Sequence, residues 1–438
     1  MKEWNTGKLM EAVGGEAHIP EALLEREIGG VVIDSRKLLP GDVFIATKGE
    51  RVDGHSFIPQ VMEKGALCVI CEDAPQGDIP YIKVRDSFAA LKAAAKAYRA
   101  LLTIPVIAVT GSVGKTSTKE MIAAVLSEKY HVLKTEGNYN NEIGMPLTIL
   151  QIRQEHTAAV LELGINHFGE MERLSDIARP DIAVITAIAE CHLEALGDLD
   201  GVLKAKSEIF SHMGPESTVI LNGDDEKLRT IREVHGKAPI FYHFGEDACE
   251  PELGCPMVFP LPGIHQRRNA LAAAAVGRVL GVGDEQIVSG LKKVRAVGGR
   301  GDVIDTGRYT ILNDCYNANP TSTRAGLSTL CEDREAKRRV AVLGDMLELG
   351  KEERALHYRL GEYAGKTGPE LLITIGPLSE ETDAGFAAAA PSKEHVHFAG
   401  NSEFLEKAGE LLKDGDRILL KASHGMHFEE ILEKLKEL

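Results

Sequence analysis

No stretch of the chain approaches the run of about 18 apolar residues that a membrane-spanning helix requires. The opening Met1-Lys2-Glu3-Trp4-Asn5-Thr6-Gly7 lacks the apolar centre of a signal peptide. Both absences lead to the expectation of a cytoplasmic protein with no membrane span. Positive charge is also short, with 50 lysines and arginines against 66 aspartates and glutamates and a formal net charge of −16. A nucleic-acid surface is thereby excluded as the main business, because no basic face offsets the repulsion from phosphate. An anionic substrate needs a local basic pocket instead. Cysteine is sparse and odd in number, seven in all, which excludes a disulfide framework. Cys68 and Cys71 form the one C-x-x-C, but they lie in the apolar run Ala66-Leu67-Cys68-Val69-Ile70-Cys71 with no second ligand pair. They read as buried strand, not as a zinc or redox centre. Internal repeats of about 20–50 residues and low-complexity tracts are missing too.

What is present is 44% hydrophobic residues with only 5% aromatics, plentiful alanine and 44 glycines in 438 residues. This composition fits a soluble α/β protein whose helices and sheets pack closely, and the length implies two to four domains. The chain is organised around Val106-Ile107-Ala108-Val109-Thr110-Gly111-Ser112-Val113-Gly114-Lys115-Thr116-Ser117-Thr118, an apolar strand running through a glycine turn into a helix. Met121, Ile122, Val125 and Leu126 then recur at helical spacing. Such a turn aims backbone N–H groups and a helix N-terminus at phosphate, with Lys115 reaching the outer phosphates and Thr116 holding magnesium. The spacing is the shorter G-x-x-G-K-T-S, since Val109 stands where the strict motif has its first glycine.

Residues 1–102 carry short apolar segments at Val31–Ile33, Val43–Ala46, Leu67–Ile70 and Tyr81–Val84, which predict a small N-terminal α/β domain. Ser35 follows one strand, and Lys48 and His55 bound a polar loop; each reads as a ligand contact or as an ordinary turn. The alanine-rich helix Ser87–Leu102 connects to the next unit. Residues 103–298 alternate strand and helix, predicting a mainly parallel P-loop-type sheet covered on both faces, with ligands at the strands' carboxyl ends. Glu162 and His192 fall near such ends. Glu162 suits magnesium as a hard oxygen donor, whereas a histidine is a less usual ligand. The loop Gly137-Asn138-Tyr139-Asn140-Asn141-Glu142-Ile143-Gly144 either meets a peptide-like ligand or only caps helices and turns. Lys206 sits on a predicted helix, where most lysines are solvated. A flexible joint, Val297-Gly298-Gly299-Arg300-Gly301, precedes a C-terminal Rossmann-like α/β domain over 299–438. Its strands are predicted at Tyr309–Leu312, Val340–Leu343, Leu371–Ile375 and Arg417–Leu420. Asp314, after the first of them, is placed to accept from ribose hydroxyls.

Taken together, these stretches resemble the Mur ligases, the ATP-dependent amide-forming enzymes of bacterial peptidoglycan precursor synthesis, a route on which cell-wall biogenesis, cell shape and cell division depend. The resemblance covers all three domains. It rests on Asp34-Ser35-Arg36, Pro40-Gly41-Asp42, Asp53-Gly54-His55, the phosphate loop, Gly137-Asn138 with Asn140-Asn141-Glu142-Ile143-Gly144, Glu162-Leu163-Gly164, His192-Leu193-Glu194, Ala205-Lys206 with Glu208, Tyr316-Asn317-Ala318-Asn319-Pro320, and Leu343-Gly344-Asp345-Met346 with Glu348-Leu349-Gly350. The last two favour the member that adds a D-alanyl-D-alanine dipeptide to a UDP-N-acetylmuramoyl-tripeptide over the tripeptide-forming relative, whose Asp-Asn-Pro-Arg signature does not occur here. Another amide ligase of the superfamily, such as a folylpolyglutamate synthase, and a non-catalytic nucleotide-binding regulator are the competing readings.

The resemblance implies that the peptide's terminal carboxylate attacks ATP to give an acyl phosphate, which the incoming amine displaces. Gly111, Ser112, Gly114, Lys115, Thr116 and Ser117 would cradle ATP, with Asn269 on the adenine, Arg300 on the phosphates and Asp314 on the ribose. Thr116 and Glu162 would hold one magnesium ion; Glu162, His192 and Lys206, carbamylated, would hold a second. Ser35, Lys48 and His55 would serve the UDP end, and Asn140, Asn141, Asn317 and Asn319 the peptide and dipeptide. The expected state is a monomer. Four departures stand out: Gln266 where the family has an asparagine, Cys315 for a serine, His424 for an arginine, and a short stretch between Gly236 and Leu261.

Overall fold

A computed structural model describes residues 1, 3–49, 52–243, 260–333 and 335–437. Glu50 and Arg51 of the Lys48–His55 loop, and most of the short stretch between Gly236 and Leu261, lie outside the described residues. Three sheets follow one another along the chain. The N-terminal sheet orders its strands Glu16–His18, Tyr81–Lys83, Cys68–Cys71, Val43–Ile45 and Val31–Val32, with the first pair antiparallel and the rest parallel. Cys68 and Cys71 are buried within it, and burial pushes the Cys68 thiol up to about 12. An unreactive structural pair follows from that environment.

The central sheet is wholly parallel: Ile240–Tyr242, Thr218–Asn222, Ile182–Ile185, Val106–Thr110, Ala158–Glu162 and Val132–Lys134. The Val106–Thr110 strand therefore lies between Ile182–Ile185 and Ala158–Glu162, so their carboxyl ends form one crevice where the strand order reverses. Side-chain alternation splits the core. Val106 and Ala108 face a cluster shared with the N-terminal domain, whereas Ile107 and Val109 pack with Met121, Ile122 and Val125 of the helix Lys115–Leu126 and with alanines of Ile264–Val279. Both faces are thus covered, which is why the strand reads as a continuous apolar run.

The connecting helix Ser87–Ala100 starts on Asp86, whose carboxylate accepts from Phe88 N and Ala89 N at 2.8 and 3.0 Å. It packs on the central domain. Tyr98 Oη donates to Ile152 O and Arg99 Nε to Ala178 O, each at 2.8 Å. The C-terminal sheet runs Asp302–Asp305, Thr310–Asn313, Asp416–Lys421, Arg338–Gly344, Leu371–Ile375 and Glu394–Phe398, antiparallel at its first pair only. Separate apolar clusters cover its two faces. No helix among the described residues is long and apolar enough to cross a membrane.

Candidate active site

The crevice of the central sheet opens into a cavity of about 840 Å³ that the C-terminal domain roofs. The phosphate loop forms its floor. Gly111 has φ +149°, and a Cβ there would overlap the Thr186 hydroxyl; Gly114 has φ +82°, and a Cβ would come 2.8 Å from Asn269 Oδ1. Glycine is required at both positions, by sterics at the first and also by the left-handed backbone at the second. The loop is stitched to the next strand's extension, where Ser112 N donates to Ala187 O at 2.8 Å and Ala189 N donates to Ser112 Oγ at 2.9 Å. Lys115 curls back to donate to Gly111 O at 2.8 Å, and burial lowers its pKa from the usual lysine value.

Glu162 ends its strand almost wholly buried and is held on every side. Thr116 Oγ1 donates to Oε2 and Asn140 Nδ2 to Oε1, both at 2.8 Å, and Lys119 Nζ stands 3.7 Å from Oε2. Lys119, itself buried, donates to Thr135 O at 2.7 Å, while the Thr135 hydroxyl accepts from Glu162 N at 3.0 Å. Burying a carboxylate is costly unless such partners compensate. Among the described residues, no three His, Cys, Asp or Glu side chains cluster closely enough to hold a metal ion alone. The Thr116 and Glu162 oxygens beside a phosphate loop fit a hard divalent cation whose remaining ligands are phosphate and water.

His192 lines the same cavity. It caps the short helix Leu193–Leu196 from a left-handed backbone, φ 50° and ψ 33°, and burial together with the nearby charges of Lys206 and Lys115 lowers its pKa against the pull of Glu348. Lys206, on the helix Leu199–Ser207, is buried, and its side chain has no hydrogen bond or ion pair to any described residue. Burial pushes its pKa down to about 8. The helix turns this side chain inward, so Lys206 is not the solvated surface charge that most helical lysines are.

The cavity brings together Ser112, Gly114, Lys115, Ser117, Asn140, Asn141, Glu162, His192 and Asn269 from the central domain with Arg300, Asp314, Asn317 and Asn319 from the C-terminal one. Several of these side chains also have structural partners. Asn141 Oδ1 accepts from Gly144 N at 2.9 Å, and Asn319 Oδ1 from Ser322 N at 2.8 Å, capping the helix Pro320–Glu332. Asp314 is paired with Lys421. Arg300 lies 3.8 Å over the Tyr316 ring, which in turn stacks on His424. Gln266, at the first departure, accepts from Asn269 Nδ2 at 3.3 Å. Cys315 Sγ donates to Asn313 Oδ1 at 2.8 Å. Ser35, Lys48 and His55 do not line this cavity. Lys48 pairs with Asp73 at 2.8 Å, and His55 with Asp53 at 2.7 Å, holding the N-terminal domain's own loops. Sequence reasoning missed Lys119, Thr135, Thr186 and the role of Glu348. Lys119 lies one turn from Lys115 in the phosphate-loop helix, and only that adjacency could have flagged it.

A phosphate loop beside a buried carboxylate, roofed by a third domain, defines the class, and the chain belongs to the Mur ligase family. The Mur ligase middle domain matches residues 109–277, the Mur ligase glutamate ligase domain 299–424, and the Mur ligase family catalytic domain 27–127. Within the family, the chain is 38% identical to the UDP-N-acetylmuramoyl-tripeptide–D-alanyl-D-alanine ligase of Bacillus subtilis, over 94% of this chain and 93% of that one. The enzyme of the same name from Escherichia coli is 35% identical over 98% of each. Among solved structures, MurF from Acinetobacter baumannii superposes with a TM-score of 0.87 at 34% identity, covering 99% of both chains. MurF ligase from Thermotoga maritima in complex with ADP gives 0.78 at 27%, covering 93% of this chain and 97% of that one.

Proposed function

We propose that this chain joins D-alanyl-D-alanine to UDP-N-acetylmuramoyl-tripeptide at the expense of ATP. The observation that carries the reading is the convergence of Lys115, the Thr116–Glu162 pair and His192 at one crevice, with Lys206 near enough for its charge to act on His192 and Lys115, and with Arg300 and Asp314 arriving from the third domain. The near full-length relatives of that name support it. The peptide's terminal carboxylate oxygen attacks the γ-phosphorus, ADP leaves, and the amine of the dipeptide displaces phosphate from the acyl phosphate through a tetrahedral intermediate.

Positioning and charge neutralisation dominate such a reaction. Lys115 and Arg300 neutralise the phosphates, Asn269 and Asp314 orient the nucleoside, and the backbone N–H groups of Gly111 to Ser117 cradle the anion. Thr116 and Glu162 would hold one magnesium ion, and Glu162, His192 and carbamylated Lys206 a second; these ions supply phosphate charge neutralisation. A lysine with pKa about 8 and no acidic partner keeps more free amine at neutral pH than an exposed one, which suits reaction with carbon dioxide. Asn140, Asn141, Asn317 and Asn319 border the place where the two peptides meet, and the roof excludes water that would hydrolyse the acyl phosphate. The UDP end would lie on the N-terminal domain near Ser35, Lys48 and His55. The domains divide at about residues 102 and 298, and the protein acts in the cytoplasm as a monomer.

The test is phosphate release from Mg-ATP with UDP-N-acetylmuramoyl-tripeptide, with and without D-alanyl-D-alanine, followed by mass of the nucleotide-linked product. Dipeptide-dependent release with the matching mass gain is expected. Release driven by a different amino acid would assign the chain to another amide ligase of the family, and ATP binding without release would make it non-catalytic.

A further inference from the structure

The turn that carries His192 is gripped by the C-terminal domain at four points. His192 Nδ1 and Glu348 Oε2 are 2.7 Å apart. A carboxylate only accepts, so Nδ1 carries the proton and Nε2 is left as the free ring nitrogen. Gly350, two residues beyond Glu348, sits with its Cα side against the next turn, where a Cβ would come 3.3 Å from Glu194 N. Thr321 Oγ1 contacts Glu190 Oε2 at 3.3 Å from the other side. Leu193 packs against apolar clusters of both domains.

Both partners of the central contact hold an uncommon backbone. His192 has φ +50° and Glu348 φ +64°, left-handed conformations that non-glycine residues seldom adopt and that here aim two side chains at one another across a domain boundary. The loop bearing Glu348 is fixed before it reaches the histidine. Met346 N donates to His357 Nε2 and Leu347 N to Ser423 Oγ, both at 2.9 Å, and the buried Asp345 accepts from Ser379 N and Oγ at 2.7 Å. At 61% side-chain exposure, Glu348 contributes little as a surface ion pair. A rigidly presented carboxylate on the far nitrogen of a metal-binding histidine is instead the usual way such a ring is oriented.

We propose that Glu348 is a positioning residue of the ligase site: it fixes the His192 imidazole from the third domain, so that this metal ligand is set only when that domain is docked. The inference rests on the ligase reading and extends it by coupling domain closure to metal binding. Glu348→Gln keeps the side chain's size while removing its charge, and Glu348→Ala removes the contact. Manganese binding to the ADP-loaded full-length protein, read by electron paramagnetic resonance, is expected to weaken about 10-fold or more in both variants. In turnover, the half-saturating magnesium concentration rises in parallel, while the KM for ATP at saturating metal stays within twofold. Thr321→Val loosens the same turn without touching the imidazole, and its manganese affinity is expected to stay within twofold of wild type. Unchanged metal affinity in the Glu348 variants, or an equal loss in Thr321→Val, overturns the proposal. Failure of the wild type to release phosphate with the dipeptide would instead overturn the ligase reading, since metal affinity is measured without dipeptide.

Discussion

The Thr116 hydroxyl donates to Glu162 Oε2 at 2.8 Å, joining the first turn of the phosphate-loop helix to the end of the neighbouring strand. With Asn140 on the other carboxylate oxygen and Lys119 beside it, Glu162 is fixed next to the glycine turn, where the proposed function puts the phosphate oxygens. Glu162→Gln preserves the shape and removes the charge. Phosphate release should fall at least ~100-fold, the scale of losing one fixed electrostatic contact to a transferring group, with the circular dichroism spectrum unchanged. Turnover within tenfold of wild type would remove Glu162 from the metal site.

Gly114→Ala tests the cradle. Its φ of +82° costs an alanine about 1–2 kcal/mol, and the new methyl would press on Asn269 at 2.8 Å. A lower melting temperature and at least tenfold weaker ADP binding by calorimetry are expected. Wild-type ADP affinity would show that the loop tolerates a side chain and does not approach phosphate closely.

Lys206 bears on stability through pH. Its folded pKa of about 8 lies below the ordinary lysine value of 10.5, so the unfolded state holds the proton more tightly. At pH 7 both states are protonated and the folded protein carries the cost of a buried charge, at most about 3 kcal/mol. That cost shrinks as pH rises from about 8 and is gone above about 10.5. In buffer free of carbon dioxide, Lys206→Met should therefore be more stable than wild type at pH 7, and its advantage should narrow across that window in urea titrations. An advantage that is constant with pH would assign the effect to packing.

Arg300→Lys separates charge from shape. The guanidinium carbon lies 3.8 Å over the centre of the Tyr316 ring, and an ammonium does not reproduce the contact of a planar guanidinium with an aromatic face. The KM for ATP should rise between about 2- and 30-fold, the range of a cation–π contact worth about 0.5–2 kcal/mol. An unchanged KM would place Arg300 away from the phosphates.

Much of this site could be read along the chain because its chemistry is local. The Gly111–Ser117 turn needs nothing distant to declare itself: strand, glycines and helix are contiguous, and the binding proposed for it falls to backbone N–H groups. The α/β architecture was equally legible, since Val106–Thr110 and Leu371–Ile375 are apolar except for one threonine each and are buried along their whole length, as strands covered on both faces are. His192 and Lys206 were different. By residue type alone each was an ordinary loop histidine and a solvated lysine, and only the resemblance to a family gave them roles.

The sequence by itself determined the phosphate loop, the parallel sheets and the order of the three units, because these depend on spacing and polarity within short windows. Tertiary structure alone decided which side chains share a cavity and what protonation they favour. Glu162 acquires Thr116 and Lys119 from the helix Lys115–Leu126 and Asn140 from a separate loop. Lys206 loses its solvent when its helix is turned inward, and His192 meets Glu348 156 positions away in the chain. Burial and through-space charge fall off with distance in space, not along the backbone, so no window of residues could have contained them.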